Sequence, residues 1–243
     1  MVAGVRIRPG DGSLVQIDPS WECLALKNQG TLVCASYLTP GQGGKTVGRG
    51  TIVVGGCNEP ILVVECAGTF VGVMSKTQSG AAFTWTLVTE APGATVNYWV
   101  FDTTDVAQMA FILTKGMRFR NPANGRVIFD SRYKYLRFLQ MINLDAGTAD
   151  TRVAIPVTSG YGVSICNSGF YTAIVGGPVG GGPFWQNNNT SYVAGVRTNG
   201  NGTVTIKLIN TINNITDGPS NPPPTGLMGS RKFIGQIVDL RNY

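Results

Sequence analysis

The chain has 243 residues, enough for one or two domains that each bury a core. Only 13% of the residues are charged and 33 are glycine, with Thr, Val and Asn plentiful, which is the composition of strands joined by many turns. The net charge is +6 on only 19 basic residues, too few for an ordinary nucleic-acid binder, and no histidine is present to build the usual serine or cysteine triad.

The first stretch, residues 4–26, reads GVRIRPGDGSLVQIDPSWECLAL. Basic and apolar residues alternate through Val5, Arg6, Ile7 and Arg8, which predicts a strand with its arginines on one face. Pro9, Gly10, Asp11 and Gly12 form a turn, a second strand returns through 14–17, and Asp18 closes it by bonding local backbone amides. Residues 27–50 read as turn-rich around Pro40-Gly41-Gln42-Gly43-Gly44. The Gly44-Lys45-Thr46 that follows is no phosphate loop, because Thr39 stands where that motif needs glycine. Strands are expected at 51–54, 61–65, 69–74, 82–89 and 95–101, with Pro92-Gly93 turning the last hairpin. Residues 102–107 end this unit, and a strand over 109–114 leads into the next.

Residues 116–139, GMRFRNPANGRVIFDSRYKYLRFL, then repeat the opening without a gap. Gly4 matches Gly116, Arg6 matches Arg118, Arg8 matches Arg120, Val15 matches Val127, Asp18 matches Asp130 and Leu24 matches Leu136. Asn124-Gly125 supplies the positive φ of a tight hairpin. A period this long is that of a domain, so the chain is read as two tandem antiparallel β-sandwich domains related by internal duplication. Their bounds are 1–114 and 115–214. Residues 133–144 sit where the first copy has a strand pattern and are assigned as strand. Further strands are expected at 152–156, 162–166, 172–175, 192–196 and 203–209. The last hairpin echoes the first copy, Thr203-Val204 answering Thr95-Val96. Residues 176–189 read as a Gly-rich loop carrying Phe184 and Trp185. Residues 215–225, with three consecutive prolines, form a stiff linker, and 232–238 a short strand. That strand either pairs within its own chain or adds to a neighbour's sheet. The final unit is thus 215–243, a Pro-rich linker and C-terminal segment.

The repeated opening, G-x-R-I/F, then Asp or Asn with Gly, then V-x-I/F-D-S-x-Y/W-x-x-L, resembles the start of small minor tail and tail-tip proteins of bacteriophages of Gram-negative bacteria. It is clearest at Phe129-Asp130-Ser131-Arg132-Tyr133, and the first copy departs from it at Pro19. The resemblance covers only the start of each half. It implies a virion structural protein near the distal end of a tail, built of β domains, with other tail proteins as partners. It implies no activity.

Two sets of residues stand out as contact sites. Lys115, Arg118, Arg120, Arg126, Arg132, Lys134 and Arg137 cluster with Asp130 as the one acid among them. Arg118, Arg120, Arg132 and Lys134 are the candidates for an anionic partner. The competing reading is a solvated or subunit-facing strand surface, since Arg6 and Arg8 repeat the pattern. Phe184, Trp185, Asn187, Asn188 and Asn189 are candidates for a partner subunit or a glycan. The five cysteines, Cys23, Cys34, Cys57, Cys66 and Cys166, are not shared between the copies, which argues for free, mostly buried thiols. No C-x-x-C pair suggests zinc. No stretch reaches the ~20 apolar residues of a membrane helix, and no signal peptide is read at the start. Catalytic, cofactor-binding and metal residues are expected to be absent. The leading expectation is a multicopy structural component of a phage tail tip or baseplate, made in the host cytoplasm and carried in the virion. The alternative is a receptor-binding module for a host cell-surface glycan.

Overall fold

The computed structural model describes residues 5–7, 15–17, 23–39, 44–108, 115–178, 184–219, 226–241 and 243. The chain is all-β and forms a sandwich of antiparallel sheets. The first half contributes β1 (Val5–Ile7), β2 (Val15–Ile17), β3 (Leu24–Val33), β4 (Ala35–Leu38), β5 (Thr46–Val54), β6 (Ile61–Glu65), β7 (Val71–Ser79), β8 (Ala82–Thr89) and β9 (Thr95–Thr103). The second contributes β10 (Arg118–Arg120), β11 (Val127–Asp130), β12 (Phe138–Asp145), β13 (Thr151–Ala154), β14 (Tyr161–Asn167), β15 (Phe170–Pro178), β16 (Phe184–Thr198), β17 (Thr203–Pro219), β18 (Gly226–Gly229) and β19 (Lys232–Asp239). The hairpins β1–β2 and β10–β11 each form a two-stranded sheet. Gly125 turns the second of them at φ 72°, as its Asn-Gly sequence predicts.

The larger sheets have orders β12-β19-β14-β6-β9-β3 and β13-β17-β16-β7-β8-β5-β4, the second also carrying β15 and β18. The six-stranded order reads alike from its two ends, and so does the second once β4 is set aside. β3, β9 and β6 are answered by β12, β19 and β14, while β5, β8 and β7 are answered by β13, β17 and β16. The halves join where equivalent strands pair, at β6–β14 and at β7–β16. Register sharpens the match. The β3–β9 ladder shifts between Leu26 and Asn28, and the β12–β19 ladder shifts between Phe138 and Gln140. Those residues are equivalent in the sequence repeat, so one bulge recurs at one place in both halves. The buried residues of β9, Val96, Val100, Phe101 and Asp102, have counterparts at equal spacing in Phe233, Ile237, Val238 and Asp239 of β19.

That correspondence changes several sequence assignments. By strand order β19 takes the place in its sheet that mirrors β9, whereas the strand at 203–209 belongs to β17 and takes the place that mirrors β8. The C-terminal strand pairs within its own chain, between β12 and β14. Residues 215–219 continue β17 instead of opening a linker. Residues 220–225 and the strand expected at 109–114 lie outside the described residues. The turn-rich stretch contains β3 and β4 through most of its first part. Gly30 is there for packing: a Cβ on it would stand 2.8 Å from the Tyr98 hydroxyl. The Gly-rich stretch is also mostly strand, with Gly176 and Gly177 paired to Asn187 and Gln186. A glycine in a strand costs stability, and here a long antiparallel partner holds the backbone extended.

One hydrophobic core fills the space between the large sheets and draws on both halves. Val64, Val100, Val163 and Ile237 come from the six-stranded sheet, and Trp85, Leu87, Val196 and Ile206 from the other. Each such side chain contributes about 1.5–3 kcal/mol on burial. A second cluster lines the opposite face of the six-stranded sheet, with Leu26, Val63, Phe101, Val238 and Leu240 buried against Leu136, Trp99 and Tyr243. It exists because that sheet curls shut at one end. Residues 134–137 span its two edges: Leu136 N donates to Leu24 O at 2.9 Å, Leu26 N to Lys134 O at 2.7 Å, and Asp239 N to Arg137 O at 2.9 Å. Leu24 and Leu136, equivalent in the repeat, therefore meet across the closure.

Candidate functional site

The basic cluster folds onto carboxylates of its own chain. Asp130 ends β11 with its side chain 1% exposed. Arg118 Nε lies 2.6 Å from its Oδ2, and Arg132 brings Nη2 to 2.5 Å from Oδ2 and Nε to 2.8 Å from Oδ1. Arg132 N also donates to Oδ1 at 3.1 Å, which is the local amide bond expected of an Asp at that turn. The Tyr135 hydroxyl accepts from Asp130 N and donates to Asp130 O. Burial pushes that phenol above its ordinary range, so it stays protonated. Arg126 lies 3.3 Å from Asp105, and Arg137 lies 3.3 Å from Asp239. Arg120 donates to Gly125 O, and Lys134 Nζ stands 5.6 Å from the Tyr243 ring centre. Of the four candidates for an anionic partner, Arg118 and Arg132 thus share one internal carboxylate. Positive charge is balanced where the sequence concentrates it, which leaves less of it to attract a polyanion.

Asp239 repeats this chemistry at the end of β19. The hydrogen bonds and charge of Arg241, with Arg137 nearby, hold its carboxyl below the usual range despite burial. A depressed carboxyl pKa stabilises the fold above the unfolded value of about 4, and that stability is lost as pH falls through the folded value. Asp239→Asn is therefore expected to lower the melting temperature at neutral pH and to flatten its decline in acid. An unchanged acid limb in a thermal melt series would show that the group contributes nothing. Asp102, its counterpart in β9, has a different role: it is fully buried and accepts from the backbone amides of Asn58, Glu59 and Thr103. Asp105, three residues on, forms the ion pair with Arg126.

The second candidate set lies on β16. Phe184, Trp185, Asn187, Asn188 and Asn189 are paired to β15 and to β17 in a long ribbon. The side chains of Phe184, Trp185, Asn187 and Asn188 are outside the described residues. Asn189 is half-buried, and its Oδ1 accepts no hydrogen bond from the described residues. The structure therefore places this set on a strand ladder and does not bring it to the basic cluster.

Comparison with known protein families, curated proteins and solved structures returns no match to this chain. The chemistry of the site must accordingly be read from its own residues. Among the described residues no group of three or more His, Cys, Asp or Glu side chains could hold a metal ion. No helix among them is long and apolar enough to cross a membrane, which says nothing of crossing by strands. Five free thiols are present, with Cys34, Cys57 and Cys66 buried. Burial raises the pKa of all three, which keeps them protonated and poorly nucleophilic.

What sequence reading missed is the difference between the two outer strands of the curled sheet. β3 presents Gln29, Thr31 and Val33 outward, while β12 presents Phe138, Met141 and Asn143. Phe138 is 53% and Met141 57% exposed, and β12 carries no charge before Asp145. Its ladder partner among the described strands is β19 alone. An uncharged edge strand with large apolar side chains is open to pairing with another chain. The available signal was the run Phe138-Leu139-Gln140-Met141-Ile142-Asn143-Leu144, whose lack of charge in so basic a neighbourhood was legible.

Proposed function

We propose that the chain is a structural subunit of a bacteriophage tail tip or baseplate that acts by assembly and not by catalysis, present in several copies among other tail proteins. The resemblance of the repeated opening supplies the setting, and the exposed apolar edge of β12 carries the mechanism. We read the two halves as a duplicated sandwich unit, supported by the mirrored strand orders and by the shared bulge. On this reading the chain already joins equivalent sheet edges internally at β6–β14, and β12 offers a further edge to a neighbour. Edge pairing gives main-chain hydrogen bonds, and Phe138 and Met141 supply apolar area. Substituting Met141→Lys together with Phe138→Lys leaves the core untouched, since both side chains are exposed. The pair is expected to leave the unfolding free energy within about 1 kcal/mol of wild type and to abolish self-association or incorporation into particles. Sedimentation of the purified chain, with antibody labelling of particles, measures both. Unchanged mass and unchanged label at the tail would overturn the role of this edge.

A further inference from the structure

Three strands of the first half bring Thr31, Asn97 and Glu65 into one row. Thr31 of β3 pairs with Asn97 of β9, and Asn97 pairs with Glu65 of β6. The side chains are joined: Thr31 Oγ1 donates to Asn97 Oδ1 at 3.1 Å, and Asn97 Nδ2 donates to Glu65 Oε2 at 3.3 Å. Two residues along each strand, on the same face, stand Gln29 and Trp99. Two adjoining hollows cover this face. One, of about 300 Å³, is lined by Gln29, Thr31, Asn97, Trp99 and Tyr243 among others. The other, of about 480 Å³, is lined by Glu65, Thr95 and Asn97 with the small residues of the loops at 67–69 and 91–94. Asn97 lines both, so the two hollows adjoin at its side chain, and together they are the trough. Trp99 and Tyr243 are partly exposed in it.

The fold does not require this row. In the second half the equivalent positions hold Met141 for Gln29, Asn143 for Thr31, Ile234 for Asn97 and Gln236 for Trp99, by the shared bulge and by the match of Asp102 with Asp239. Each half places two amides here, but the first adds a hydroxyl and an aromatic ring where the second adds the aliphatic Met141 and Ile234. The aliphatic version lies beside the edge proposed for subunit contact.

We infer that the trough of the first half binds an uncharged oligosaccharide chain. Flat aromatic rings cover the apolar faces of sugar rings at low entropy cost, and Trp99 and Tyr243 are two such rings. Asn97, Gln29 and Thr31 present both donors and acceptors, which hydroxyl groups require. Glu65 is the one charged side chain among the lining residues, and its carboxylate accepts from hydroxyls. Lys134 Nζ stands 5.6 Å from the Tyr243 ring centre at the other end, so discrimination against phosphate-rich or sulfated polymers rests on Glu65 alone. Small residues at Ala67, Gly68, Gly93 and Ala94 leave the 480 Å³ hollow open to a chain running past its end.

The full chain should be titrated with maltohexaose, cellohexaose and chitohexaose by tryptophan fluorescence, with heparin and a DNA oligonucleotide as anionic probes. Binding to at least one neutral hexasaccharide in the millimolar range or tighter is expected, with none to the anionic probes at matched concentration. Asn97→Ala should weaken binding by about tenfold or more with an unchanged melting temperature. Trp99→Leu should abolish it, but Trp99 also packs on the inner cluster, so Asn97→Ala is the deciding variant. A joint Phe184→Ala and Trp185→Ala variant should bind as wild type. Failure of all three neutral probes, preference for heparin or DNA, or loss through the Phe184 and Trp185 pair with Asn97→Ala unaffected would each overturn the assignment. None of these results bears on sedimentation of the Met141 and Phe138 variant, so the two readings fail separately.

Discussion

A chain ending at residue 231 is expected not to fold. Its loss resembles the trimming of a short strand behind a proline-rich stretch, which a sequence reading would rate as mild. The position of β19 says otherwise. It lies between β12 and β14, and its removal leaves both without a shared partner. Phe233, Ile237 and Val238 are fully buried, and at about 1.5–3 kcal/mol each they contribute roughly 5–9 kcal/mol. That is comparable with the whole stability of an ordinary domain, about 5–15 kcal/mol. Asp239 and its contacts with Arg137 and Arg241 go as well, and so does Tyr243, whose ring meets Phe101 edge-on at 5.3 Å. The expected result is insoluble protein, or soluble protein without a cooperative melt. Cutting from the other side separates causes: Phe233→Ala in the full chain should cost about 3–5 kcal/mol and still melt cooperatively. A truncated chain with a wild-type melt would mean that β19 is dispensable to the sheet.

The place of β19 also marks the limit of what local sequence carries. Alternation and turn residues located β6 and β8 to the residue, because those strands alternate or run apolar between strong turns. Asp130 was legible as a turn residue for the same local reason. The partner of β19 was not legible, since β12 and β14 lie far away in the chain and nothing within 232–239 names them. The repeat held the missing information in a less visible form. Leu139 stands at the bulge in β12 where Lys27 stands in β3, but the two share no chemistry, so residue matching ends just where backbone matching continues. β3 was hidden by Gly30, whose reason is the Tyr98 ring on the distant strand β9 and not a local turn. The trough was hidden more deeply. Thr31, Glu65 and Asn97 are ordinary polar residues in three separate strands, and only register makes them a row.

Asp130→Ala is expected to be the most damaging substitution outside the large core. The carboxylate is almost wholly buried and compensates two guanidinium groups, while Arg118 and Arg132 retain 37% and 19% side-chain exposure. Removing a fully buried ionic partner costs about 3–5 kcal/mol, and the partial solvation of both arginines brings the expectation down to about 2–3 kcal/mol. The loss is not only of charge. Arg132 N loses its acceptor, and the turn that aims Tyr135 and Leu136 at β3 loses its lock. Because residues 134–137 close the curled sheet, the effect should reach beyond the β10–β11 hairpin to the inner cluster around Phe101. Hydrogen exchange would show it as faster exchange at Leu26 and Leu136, whose amides make the closing bonds. Asp130→Asn separates geometry from charge. It keeps an acceptor for Arg132 N but cannot neutralise two arginines, so it should recover only part of the loss. The double variant Arg118→Met with Asp130→Asn should recover more, because one uncompensated cation is gone. Equal destabilisation by Asp130→Ala and Asp130→Asn, with no rescue by Arg118→Met, would assign the damage to charge at Arg132 alone. No destabilisation in any of the three would mean that the closure holds without its ionic lock.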